Sequence, residues 1–144
     1  MSLRSWLLAA TLVGAACRSP LPGEPVAAHD VILRLERSTP RNGDNATVII
    51  DNTASAPRYY LTCGTEPFLH MERFEDGEWK PGPIPGCSEG GWVELGPGEE
   101  RGAHLALDVG IHRATLTVTD VLPSESSESA VSNPVQIVVG AWSH

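Results

Sequence analysis

From Asp30 onward, apolar side chains recur at every second position. In DVILRLER (30–37) Val31, Leu33 and Leu35 alternate with Arg34 and Glu36. NATVIID places Ala46, Val48 and Ile50 on one face, RYYLTCG places Tyr59, Leu61 and Cys63 together, and NPVQIVVG alternates Val135, Ile137 and Val139. Successive side chains of a strand point to opposite faces, so this period predicts half-buried strands. FLHMERF and the residues around Trp79 flank Glu75-Asp76-Gly77-Glu78, whose Asp-Gly pair is a strong hairpin signal. GWVELGPGEE predicts a strand ending in a Gly-Pro-Gly turn, and RGAHLAL and HRATLTV lie either side of Asp108-Val109-Gly110. Roughly seven to nine short strands punctuated by turns, with no helical segment of useful length, predict an all-β antiparallel sandwich. The longest irregular pieces are 81–91 and 121–132, the second containing the polar, acidic run PSESSESAVS, which predicts a mobile loop.

The amino end follows a different pattern. MSLRS carries one charge, Arg4, and an uninterrupted run of apolar and small residues follows, WLLAATLVGAA (6–16). A basic start before so short an apolar run predicts a secretory signal; spanning a bilayer needs about 20 apolar residues. The run stops at Cys17, and Arg18-Ser19-Pro20 follows at once. This junction resembles the signal of bacterial lipoproteins, in which small residues precede a cysteine that is acylated and becomes the amino terminus. The family pattern prefers Leu three residues before the cysteine, where this chain has Gly14; Gly14-Ala15-Ala16 also satisfies the small-x-small rule of ordinary secretion, which stays open. The resemblance implies a leader over 1–16, lipid on Cys17, a flexible tether over 17–28 through PLPGEP, and a folded domain over 29–144 held at the cell envelope. Arg18 in place of Asp after the cysteine resembles outer-membrane sorting in a cell with two membranes.

Removing the leader leaves 144 − 16 = 128 residues and takes away Arg4, so 9 basic face 18 acidic residues, a formal −9. Such a balance disfavours nucleic acid, which is bound by neutralising phosphates with Lys and Arg. The part after the tether, roughly 115 residues, is the size of one domain with one core. The chain has an odd number of cysteines, three. With lipid on Cys17, Cys63 and Cys87 remain as a pair, which an oxidising compartment permits, although two free buried thiols are the alternative. On the chain-entropy account, closing a loop of about 25 residues stabilises by roughly 3.5 kcal/mol.

The order VIIDNTASAPRYYLTCG, MERFEDGEWKP, VELGPGEE, GIHRATLTV and SNPVQIVV resembles bacterial immunoglobulin-like domains of exported lipoproteins, over about residues 30–139. Those domains show a strand with an Asn-rich turn, a hairpin carrying dGxW, a turn of the form L-x-P-G-E, a G-x-Y-R strand start and a final S-N-P strand. The resemblance implies an Ig-like fold and an accessory or binding role with no catalytic residues. His112 stands where the pattern has Tyr, so a corner hydrogen bond of the tyrosine kind must come from imidazole or be absent. A Cys63–Cys87 pair departs from the inter-sheet disulfide of antibody domains and predicts a loop stapled to a strand.

The most distinctive surface candidate is KPGPIPGCSEGGW (80–92). Pro81, Pro83 and Pro85 restrict the backbone around Ile84, Cys87 would pin it to Cys63, and Gly90-Gly91 lets it turn before Trp92. A preorganised loop loses little entropy on binding, and Trp79 and Trp92 could add contact area. The alternative is a disulfide-stabilised connector whose tryptophans enter the core. A copper site would need two His, a Cys and a Met to converge; His70 beside Met71, His104, His112 and Cys87 are the available donors, without the close spacing such sites use. The chain has no H-E-x-x-H and no phosphate-binding glycine loop; Gly86-Cys87-Ser88-Glu89-Gly90 has the G-x-S-x-G spacing, but no helical segment follows it, as a nucleophile elbow requires. Glu99 and Glu100 would alternate faces on a strand and point apart. Asn45-Ala46-Thr47 is a sequon that reads as a turn in a bacterial exported chain. The resulting expectation is a non-catalytic, membrane-anchored module with no cofactor or metal and with an envelope protein as a possible partner. The alternatives are an Ig-fold proteinase inhibitor presenting SEGGW and, further behind, a periplasmic metal-binding protein.

Overall fold

The computed structural model describes residues 23–122 and 127–138, and all its regular structure is β. The leader 1–16, Cys17, the start of the tether and Val139 lie outside the described residues. Eleven strands are present among those described, more than the alternation alone predicts because several pieces are only two to four residues long. They are β1 (Val31–Arg41), β2 (Asp44–Asn52), β3 (Arg58–Cys63), β4 (Glu66–Pro67), β5 (Leu69–Glu75), β6 (Glu78–Pro81), β7 (Gly90–Leu95), β8 (Glu100–Leu105), β9 (Gly110–Thr119), β10 (Glu128–Val131) and β11 (Val135–Ile137).

Two antiparallel sheets face one another. The smaller has the order β1-β2-β8; in the larger, β9 is the hub, pairing with β3, β5, β10 and β11, while β7 and β4 extend β3 and β6 extends β5. Strand β1 lies across β9, β10 and β11, bringing the two apolar faces together. The core is the alternating set the sequence displays: Val31, Leu33 and Leu35 from β1, Ala46, Val48 and Ile50 from β2, and Ala114, Leu116 and Val118 from β9, with Leu95, Val135 and Ile137. Deleting such a side chain to Ala typically costs 2–5 kcal/mol through lost transfer energy and the cavity left behind, which makes this layer the main source of stability.

Turn chemistry closes the hairpins. Asp76 and Gly77 both take positive φ, 53° and 81°, forming the two-residue turn between β5 and β6. Asn42 and Gly43, with φ 53° and 88°, do the same between β1 and β2. Such left-handed pairs match the right-handed twist of the flanking strands. The segment 121–132 is not irregular throughout: its end forms β10, which adds to β9 and buries Ala130. The amino-terminal linker also joins the sandwich. Val26 and Val131 exchange backbone hydrogen bonds of 2.8 Å, and Ala28 is buried in the core.

Three asparagine amides act as short strands. Asn133 accepts from Leu35 N–H at 3.0 Å and donates to Leu35 C=O at 2.8 Å, covering the free edge of β1 there. Asn45 does the same for Leu107, donating at 2.7 Å and accepting at 2.8 Å, so the sequon asparagine is a structural tie in β2. Asn52, with no exposed surface, donates to the carbonyls of Ala56, Leu95 and Gly96 and accepts from Ala54 N–H.

Candidate functional site

The candidate loop is held at three points. Gly82 N–H donates to Met71 C=O at 2.8 Å, which continues the β5–β6 ladder one step past Pro81. Cys63, at the end of β3, is bonded to Cys87 with Cα atoms 5.6 Å apart. Gly64 N–H then donates to Glu89 C=O at 2.8 Å. The disulfide therefore staples a loop to a strand end, within the larger sheet. Gly82 is required by packing: a Cβ there would sit 2.9 Å from the Met71 carbonyl oxygen.

Between these anchors the chain is exposed and free of strand pairing. Pro83, Ile84 and Pro85 project from the fold, and Ile84, at 70% exposure, is the most exposed large apolar residue among those described. Prolines fix their own φ and bias the preceding residue towards extended geometry, so Ile84 is presented on a stiff backbone. The other half of the candidate belongs to a strand. Gly90 and Gly91 open β7 opposite Cys63 and Thr62, and Trp92 pairs with Leu61. The SEGGW stretch is thus largely an edge strand.

Trp79 and Trp92 do not enter the core. Trp92 lies on the outer face of the larger sheet with Tyr59, Leu61 and Cys63, because Tyr60 and Thr62 take the inner face of β3. Trp79 lies on the same outer side, tilted against Phe74 at 5.2 Å between ring centroids. The Arg113 guanidinium sits 4.4 Å over the Trp79 ring and its Nε donates to Glu72 at 2.5 Å. His70, Glu72 and Thr115 share this face and, with Pro81, Pro83 and Ile84, line a shallow cleft beside the loop.

The candidate histidines His70, His104 and His112 are dispersed. His104 is on β8, its Nδ1 3.3 Å from the Thr47 hydroxyl; His70 is on the outer face of β5; His112 is buried in β9. Cys87 is committed to its disulfide. Among the described residues no group of His, Cys, Asp and Glu is placed to hold a metal ion. Glu99 and Glu100 do point apart, Glu99 to Arg101 and Glu100 to Arg34. The Glu99 carboxylate also accepts from Gly96 N–H at 2.8 Å, which together with Arg101 holds its pKa below the usual glutamate range. These contacts give the L-x-P-G-E turn its chemistry: the glutamate closes the turn that carries the chain from one sheet to the other.

No protein-family model matches the chain, and no curated protein matches it significantly. Fold and site together define an all-β sandwich bearing a disulfide-pinned, apolar-tipped loop.

Proposed function

We propose that this protein is an exported, lipid-anchored module with an Ig-like sandwich, acting outside the cytoplasm in a non-catalytic binding or accessory role. The observation that carries the reading is the Cys63–Cys87 bond. It calls for an oxidising compartment and leaves Cys17 as the odd thiol, at the end of an apolar leader where a lipoprotein cysteine would stand. The contact site is the Pro83–Ile84–Pro85 tip. An apolar side chain held out on a proline-stiffened backbone loses little entropy when covered, and the tip has no nucleophile or paired base with which to do chemistry.

Intact mass of the protein extracted from membranes tests the reading. Loss of residues 1–16 together with added acyl mass is expected; a mature chain with an unmodified Cys17 thiol would defeat the anchor.

A further inference from the structure

We infer that the Pro83–Ile84–Pro85 tip and the Trp79–Arg113 face beside it rest on the headgroups of the anchoring membrane, so that the partner of the loop is a lipid surface. This rests on the reading that Cys17 carries the anchor. The argument starts from where the linker meets the fold. A side-chain carbon at Gly23, the first described residue, would lie 3.9 Å from Trp79 Nε1 and 4.0 Å from an Arg113 guanidinium nitrogen. The chain then runs to Val26, which is bonded to Val131 in both directions. The linker is therefore fastened at the edge of the larger sheet beside β10, with Gly23 lying by the outer-face side chains of Trp79 and Arg113.

Cys17 lies 23 − 17 = 6 residues upstream of Gly23. Six residues fully extended reach at most about 20 Å, and a relaxed coil of that length spans about 13 Å. A domain of this size has a radius of gyration of about 13 Å, hence a width of some 30 Å or more. The leash cannot let the opposite sheet reach the bilayer, but it holds the Trp79–Arg113 face close to it.

The chemistry of that face suits the position. The register of β5, β6 and β9 puts Phe74, Trp79, Glu72, Arg113, His70 and Thr115 on one side. Ile84 lines the same cleft as His70, Glu72 and Thr115, so the exposed apolar tip is on this side too. Tryptophan favours the boundary between headgroups and acyl chains, where its ring is apolar and its N–H stays wet. The Arg113 charge is balanced by Glu72, in a chain that is otherwise strongly acidic. A single isoleucine holds a membrane weakly alone; the anchor raises its local concentration enough for a weak contact to persist.

The test uses the acylated full chain, its mass verified, reconstituted into phosphatidylcholine vesicles whose lipids carry bromine near the headgroup. In an Ile84→Trp variant, the brominated lipid should quench the tryptophan emission at least twofold more than it quenches the unsubstituted chain. A flexible insert on the order of a dozen residues after Arg18 should reduce that excess by half or more, because it lengthens the leash. Trp79→Phe gives an independent readout, removing part of the quenching seen with the unsubstituted chain. Acyl mass with no excess quenching from Ile84→Trp overturns the membrane-facing tip and leaves the anchor standing; so does cross-linking of residue 84 to a protein in place of lipid. A mature chain without acyl mass overturns both.

Discussion

The imidazole Nε2 of His112 lies 2.8 Å from the carbonyl oxygen of Asp108, four residues upstream. A carbonyl can only accept, so Nε2 carries the proton and donates. The bond ties the start of β9 back to the connection that precedes it. His112 is buried, and its strand β9 is the hub of the larger sheet. His112→Phe keeps an aromatic ring and removes the donor. It should destabilise by about 1–3 kcal/mol, the cost of an unmatched carbonyl in a mostly buried site, read as a lower urea midpoint with an unchanged slope.

Asn52 bridges the two sheets at the crossing between them. Its amide serves the carbonyls of Leu95 and Gly96, and its backbone N–H donates to Glu99 C=O at 3.1 Å. Asn52→Ala should lower stability on the order of 3 kcal/mol, because several backbone groups lose their partner away from water. A thermal melt within a degree or two of the parent would show that water replaces the amide without loss.

Reduction of the Cys63–Cys87 bond, or Cys63→Ser with Cys87→Ser, releases the far end of the loop from β3. The expected loss is about 2–4 kcal/mol on the chain-entropy account. Limited proteolysis should then cut within 82–89 before any other described segment, since Gly82 and Gly64 are the hydrogen-bonded ties that remain. An unchanged digestion pattern after reduction would mean the staple does not hold the loop.

Glu99 gives the fold a small acid dependence. The Gly96 N–H first, and Arg101 second, stabilise its ionised form and lower its pKa. A carboxylate with a depressed folded pKa contributes stability above its unfolded pKa and loses it as pH falls through the lower folded value. Stability should therefore decline on acidification below the usual glutamate range, and Glu99→Gln should flatten that limb by removing the contribution at neutral pH, so that the two proteins converge in acid. Chemical denaturation of both proteins from neutral pH down to pH of about 3 would show the difference.

Much of the fold is legible in the chain because it depends on local chemistry. The alternation in 31–35 and 46–50 marks core faces, and Asp76-Gly77 sets a hairpin. Strand β3 shows the limit. Both of its faces carry apolar groups, so periodicity cannot choose between Tyr59-Leu61-Cys63 and Tyr60-Thr62; the choice is made by Val118 and Val93, which flank Tyr60 in the neighbouring strands. The amides of Asn45, Asn52 and Asn133 are equally opaque, since each serves a backbone distant in sequence or across a turn. Strand β10 hides in an acidic run because one small residue, Ala130, suffices to seat it. At the candidate site, the prolines and cysteines were visible, but the cleft that Ile84 shares with His70 and Thr115 exists only once β5 and β9 pair.

Gly82 is the residue on which the presentation of the loop turns. Its N–H donates to Met71 C=O, and a Cβ would sit 2.9 Å from that same oxygen, closer than real side-chain carbons approach backbone. The obstacle is main chain in β5, which is itself paired with β9 and cannot swing aside as a flexible side chain could. Gly82→Ala should therefore leave the core strands intact and displace the loop, breaking the Gly82–Met71 bond at a cost of about 1–2 kcal/mol. Amide exchange offers the decisive reading: residue 82 should lose protection, while Leu33, Val48 and Leu116, in the fully buried layer, keep theirs. If residue 82 stays protected in the alanine variant, the loop is not seated by this contact, and the rigidity attributed to the Ile84 tip falls to the disulfide alone.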